Sequence, residues 1–228
     1  MTGKLTGKMT GRETVLTNIR LALGRGRLSA EAAMLADGYI SQHMPGPIPA
    51  RSSPAREPMA DLFVSMAEGV SATVERLADP GEILPAVLGQ LAQAGISTGL
   101  AVAPHPLLKS LNWKNYDGLA ARFGSAQGSD QVALTVATAG VAETGTLVFV
   151  SGPECPSDHC FLPEIQIAVL RQADLVGSYE GIWRRLRDDD ATPATINFVT
   201  GPSRTGDIEQ TIQLGAHGPR RLHILLLG

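Results

Sequence analysis

The chain is poor in residues that several chemistries require. Its 228 residues include two cysteines, Cys155 and Cys160. That is too few for the thiolate set of an iron–sulfur cluster. A dehydrogenase carrying its own cluster is excluded for this chain alone. Aromatic residues make up 4%, too few to suggest stacking platforms for nucleic-acid bases. The formal net charge is −3, so no global basic field exists for nucleic acid or an anionic membrane surface. A long hydrophobic run is missing too. The most apolar stretch, Val132 to Val150, is broken by Glu143, threonines and glycines. It reads as two strands and a turn, not a membrane span. Met1 to Thr10 is polar and basic with no apolar segment after it, so a cytoplasmic location is expected.

What is present suits a globular enzyme or enzyme subunit. Hydrophobic residues are 43% of the chain, enough for one large core that needs no metal or disulfide. Thr10 and Glu13 have the spacing of a capping box. Leu16, Ile19 and Leu23 follow on one helical face, ending at Gly24 or Gly26. Ser29 starts a second short helix to about Asp37. These two helices are expected to form an arm that packs on the main domain or on a partner through Leu16, Ile19 and Leu23. Met44 to Pro58 holds five prolines, which exclude helix and sheet interior and favour an extended linker. The domain reading is therefore 1–58 for arm and linker, and 59–228 for an α/β domain.

Within that domain, Phe63, Met66, Val70, Val74 and Leu77 predict one long helix stopped by Asp79-Pro80-Gly81. A second helix, 83–93, ends at Gly95. Strands are expected at 100–103, 133–136, 147–150, 165–170, 195–199 and 222–227, with helices near 179–186 and 208–213. Helices alternating with short apolar strands predict a mostly parallel sheet.

Four segments can carry chemistry. Glu143 sits in a turn beside Thr144, Gly145 and Thr146. It is either a solvated turn carboxylate or a general base. Gly145 lets a ligand or another backbone approach closely. Thr200 to Glu209 follows a strand and is expected to open a helix. Its backbone N–H groups, with Ser203 and Arg204, form either an anion site or an ordinary capped helix start. It lacks the Gly-Lys-Ser/Thr ending of a triphosphate loop. His217 stands between glycines on a loop, as a proton carrier or a merely exposed residue. Cys155, Asp158, His159 and Cys160 suggest zinc, but His43, His105, His217 and His223 are scattered and complete no ligand set. No metal is expected.

Taken together, Gly201-Pro-Ser-Arg-Thr-Gly-Asp-Ile-Glu209, Leu214-Gly-Ala-His-Gly-Pro219 and Ala142-Glu-Thr-Gly-Thr-Leu147 resemble the hallmarks of the LUD-domain family. The resemblance covers roughly Asp61 to Gly228. It implies a Rossmann-like α/β fold of the ribose-phosphate isomerase and CoA-transferase type. It also implies a part in lactate utilization, the oxidation of L-lactate to pyruvate with partner proteins. Iron–sulfur clusters are expected in those partners and no cofactor in this chain. Matched to the motifs, Glu143 and His217 are expected to be catalytic. Thr144, Gly145, Thr146, Gly201, Ser203, Arg204, Thr205, Asp207 and Glu209 are expected to bind a small carboxylate or phosphate. The Glu143 turn and the Ser203–Asp207 loop would then form one site. Two other functions fit the sequence: a stand-alone enzyme related to 5-formyltetrahydrofolate cyclo-ligase or CoA transferases, and a scaffold without catalysis.

Overall fold

Parallel sheets bury both faces, so their strands read as continuous apolar runs. Three segments of this chain do so. The computed structural model makes them the centre of a six-stranded parallel sheet: β4 (Val132–Val136), β7 (Ile165–Arg171) and β12 (Arg221–Leu227). Its order is β1-β12-β7-β4-β2-β3, with β1 (Thr73–Leu77), β2 (Leu100–Val102) and β3 (Ala121–Phe123). The structure describes residues 10–26, 28–52, 58–97, 99–116, 119–188, 193–205 and 213–228. No described helix is long and apolar enough to cross a membrane.

Alternation along the strands sends side chains into two cores. Ile165, Ile167, Val169, Leu225 and Leu227 face one side. There they meet α4 (Ile83–Ala94) and the short α5 (Pro106–Lys109). Ala168, Leu170, Leu222, Ile224 and Leu226 face the other. There they meet α3 (Met59–Gly69) and a second sheet. That sheet has order β8-β5-β6-β9, with β5 (Ala139–Val141), β6 (Thr146–Val150), β8 (Leu175–Val176) and β9 (Ile196–Val199). Its outer face packs on α6 (Tyr179–Asp188) through Ile182. A two-stranded ribbon, β10 (Arg204–Thr205) and β11 (Gln213–Leu214), completes the described elements.

The expected mostly parallel α/β fold is thus present, with three local corrections. Val74 and Leu77 do not continue the helix that contains Phe63. Gly69 ends α3, Ser71 takes a left-handed φ of 69°, and the chain enters β1 to pair with β12. The strands at 133–136 and 147–150 do not pair with each other. The three-residue β5 intervenes and pairs antiparallel with β6, while β4 lies between β2 and β7. The proline-rich segment is not wholly extended: 50–52 form a 3-10 turn and Ser52 is buried. The predicted helix at 208–213 falls mostly outside the described residues, and Gln213 is in β11.

The chain divides into two compact units, 1–46 and 47–228. In the smaller, α1 (Gly11–Ala22) has the expected capping box: Thr10 N–H donates to Glu13 Oε2 at 2.7 Å, and Glu13 N–H to Thr10 Oγ1 at 3.3 Å. Ser29 caps α2 (Ala30–Gln42), which passes Asp37 and Gly38 and stops at left-handed His43, two residues before Pro45. Glycine weakens a helix without ending it, whereas a nearby proline cannot continue it. Neither helix buries a residue. Ile19 and Leu23 are exposed and Leu16 is half-buried.

Candidate functional site

Two of the motif segments rest on one end of α3. Gly145, in the β5–β6 turn, has φ +63°, and a Cβ there would lie 2.2 Å from Ala67 N. Gly201, after β9, has φ +77°, and a Cβ would lie 2.4 Å from Val70 O. Each glycine therefore admits protein backbone, not a ligand. The structure places both turns against the C-terminal half of α3, on the same side of the parallel sheet.

Hydroxyl groups join them. Thr146 Oγ1 lies 2.7 Å from Thr144 Oγ1, 2.9 Å from Tyr179 OH and 2.7 Å from Thr200 Oγ1. Thr144 also reaches Tyr179 OH at 3.2 Å. Thr146 is fully buried, so every one of its hydrogen-bonding directions must be used within the protein.

Glu143 looks a different way. It is 5% exposed; its N–H donates to Gly177 O at 3.1 Å. Its Oε1 accepts from the N–H of Tyr179, the first residue of α6, at 3.3 Å. A carboxylate at a helix N-terminus is held by free N–H groups and by the helix dipole. Oε2 has no hydrogen-bond partner among the described residues. Glu143 is therefore placed to anchor α6 against the second sheet.

The other motif loops make a cleft of roughly 380 Å³, lined among others by Gln166, Thr200, Ser203, Arg204 and His217. Ser203 ties the loops together. Its N–H donates to Pro219 O at 2.8 Å, its O accepts from Gly215 N–H at 2.9 Å, and its Oγ accepts from His217 N–H at 3.3 Å. Among the described residues the Ser203 hydroxyl hydrogen has no acceptor. Arg204 is exposed and donates to Ser71 Oγ. Thr205 is buried. No carboxylate is among the described residues that line the cleft; the described lining includes the Arg204 guanidinium and the His217 imidazole. Arg204 and Thr205 form β10, and the helix expected beyond them falls on 206–212, outside the described residues. Asp207 and Glu209 lie outside the described residues.

Thr200 belongs to both the hydroxyl cluster and the cleft, and so connects the two motif regions. Glu143 does not line the cleft. Three residues absent from the sequence reading matter here. Tyr179 carries the hydroxyl that Thr144 and Thr146 share. Ser71 receives Arg204. Gln166 is fully buried on β7 at the cleft and donates to Thr135 Oγ1 at 3.4 Å, while its Oε1 has no partner among the described residues. A glutamine inside the apolar run Ile165–Leu170 was the available signal.

Burial pushes the thiols of Cys155 and Cys160 up to about 11 and about 12. Neither supplies a ready thiolate. His159 Nε2 meets Gly124 O at 2.8 Å, and burial lowers its pKa. Among the described residues, no three His, Cys, Asp or Glu side chains are grouped to hold a metal ion.

Comparison with known proteins agrees with this architecture. The LUD-domain family model matches residues 61–227. The chain belongs to the LUD-domain family. Over 94 residues it is 34% identical to a protein of Halalkalibacterium halodurans named lactate utilization protein C, covering 40% of this chain and 41% of that one. A protein of the same name from Geobacillus is 33% identical over 96 residues, 40% of this chain and 39% of the relative. An uncharacterized protein of Neisseria meningitidis is 27% identical over 143 residues, 61% and 56% of the two chains. The matches thus span about two-fifths to just over half of these relatives. A crystal structure of a DUF162 family protein from Deinococcus radiodurans has the same fold. Its TM-score is 0.55 at 16% identity, over 77% of this chain and 99% of that one.

Proposed function

We propose that this protein is a component of a lactate-utilization system, and that its own contribution is to hold a small anion in the Ser203–Arg204–His217 cleft. The observation that carries the reading is the meeting of two family motif loops at Ser203. They build a cleft whose described lining offers a guanidinium, an imidazole and a hydroxyl donor but no carboxylate. The relatives named lactate utilization protein C support the choice of pathway.

In this reading Arg204 takes the carboxylate of a 2-hydroxy or 2-oxo acid in a two-point grip. The Ser203 hydroxyl donates to it. His217 stands beside it to exchange a proton with the neighbouring oxygen. Removing two electrons from lactate needs an acceptor. Two cysteines are too few for the four thiolates of a cluster, which leaves the electron carriers to iron–sulfur partner proteins.

The test is a deletion strain grown on L-lactate as sole carbon source, complemented with wild type or Arg204→Gln. Loss of growth on deletion, with rescue by wild type and not by Arg204→Gln, is expected. Undiminished lactate oxidation in the deletion strain would refute the reading.

A further inference from the structure

Strand β7 runs from the motif cleft to a second cleft. Gln166, its second residue, lines the first; Arg171, its last, lines another of roughly 520 Å³. Five residue steps along the strand set them about 16 Å apart. The second cleft lies beyond the carboxyl ends of neighbouring strands. Val136 is the last residue of β4, and His105 lies just after β2. Between β2 and β4 the direction of winding reverses: β3 is added outside β2, whereas β7, β12 and β1 lie beyond β4. Open α/β sheets bind ligands at such reversals, because the loops after the two strands diverge and leave a crevice.

The lining gives the ligand's chemistry. Val136 and Ala137 are buried and Val150 is half-buried, which makes an apolar floor. Arg171 stands at the rim. Its side chain has no hydrogen bond or ion pair among the described residues, whereas Arg76, Arg122, Arg185 and Arg220 each hold a carboxylate. Asp174 also lines the cleft but is already bound to Arg185 at 2.5 Å. His105 Nδ1 accepts from Leu107 N–H at 3.2 Å and so caps α5. That bond fixes the ring proton on Nε2, a donor. Glu154 and Arg171 are both within electrostatic reach of the ring.

We propose that this cleft is a second ligand site, separate from the motif cleft, for an organic monocarboxylate that also carries a hydroxyl group. The carboxylate lies on Arg171 and His105 Nε2–H, the hydroxyl donates to Glu154, and the carbon skeleton covers Val136, Ala137 and Val150. Arg171 faces the ligand's carboxylate, while Glu154 already contributes one negative charge to the cleft. A second charge, as on phosphate, would face Glu154 without compensation. The volume exceeds what a three-carbon acid fills, so the site favours a longer skeleton. The inference stands on the cleft alone and holds whether or not the chain serves lactate utilization.

Titration calorimetry on the purified full chain tests it, with L-3-phenyllactate, L-lactate and inorganic phosphate as probes. Phenyllactate is expected to bind more tightly than lactate, and phosphate is expected not to displace it. In an Arg204→Gln background, which removes the motif cleft's contribution, Arg171→Gln should weaken phenyllactate at least tenfold. His105→Asn keeps a cap acceptor for α5 and should weaken it as well. Thermal unfolding of each variant shows that the fold is kept. The proposal is overturned if neither hydroxy acid binds the wild type, if phenyllactate does not bind Arg204→Gln, if Arg171→Gln leaves phenyllactate affinity unchanged in that background, or if phosphate competes there. Lactate growth unaffected by gene deletion would remove the pathway reading and leave this result untouched.

Discussion

Thr146 and Thr200 share a hydrogen bond of 2.7 Å across 54 residues of sequence. The bond ties the turn that carries Glu143 to the loop that carries Arg204. Replacing either threonine by valine keeps the shape and removes the hydroxyl. Thr146→Val should cost about 1–3 kcal/mol, because it strands polar groups in a buried cluster. The double variant Thr146→Val/Thr200→Val should cost less than the sum of the singles, with a coupling of about 0.5–2 kcal/mol. Urea unfolding of the four proteins measures it; strict additivity would show that the bond is energetically idle.

Glu143 separates a structural role from a chemical one. Glu143→Gln keeps an acceptor for the Tyr179 N–H and should lose about 1 kcal/mol or less, the charge–dipole part of the cap. Glu143→Ala loses the acceptor too and should cost about 1–2 kcal/mol. If Glu143→Gln folds normally yet fails to support lactate growth, the carboxylate has a chemical duty beyond holding α6.

At Gly145, added bulk meets backbone. Gly145→Ala combines a left-handed φ with overlap against Ala67, so a loss of about 3–5 kcal/mol is expected. Gly152→Ala is the control, since a Cβ there meets nothing within 4 Å. Equal melting temperatures for the two variants would contradict the packing described for α3.

Acid should destabilise the protein partly through His159. Burial holds its folded pKa below the ordinary value, opposed by its bond to Gly124 and by Asp158. Its stabilising contribution is complete above the unfolded pKa, about 6.5. As pH falls below that value the unfolded chain takes up a proton that the folded chain refuses. Stability then drops by up to about 1.4 kcal/mol per pH unit for this group, until the folded pKa is reached. His159→Gln should flatten the acid limb of a melting-temperature profile. His105 and His223 are displaced in the same direction, so the limb should shrink without vanishing. An unchanged slope would absolve His159.

The sequence was most readable where local rules coincide with the tertiary structure. Thr10 and Glu13 announce a cap, Gly95 ends α4, and the run from Ile165 to Leu170 is a buried parallel strand. The break between α3 and β1 was hidden because the apolar spacing from Phe63 to Leu77 suits a helix throughout. Pairing of Thr73–Leu77 with His223–Leu227, far along the chain, decides otherwise. The same holds for the site. Ser203, Arg204 and His217 were visible from their glycine-rich loops. The hydroxyl of Tyr179 and the amide of Gln166 were not, because their roles depend on Thr146 and Thr135, 33 and 31 residues away.

The passage from one sheet to the other takes a single residue: Ala137 N–H donates to Val169 O of the parallel sheet at 2.8 Å, and Thr138 N–H to Val148 O of the smaller sheet at 2.8 Å. Neighbouring peptide groups therefore belong to different sheets. Opening one of these bonds frees the backbone that positions the other, so neither sheet has a private unfolding route. Deuterium should replace the amide protons of Ala137 and Thr138 at the same rate, set by global unfolding of the larger unit. Ligand occupancy at either end of β7 should then slow both exchanges together.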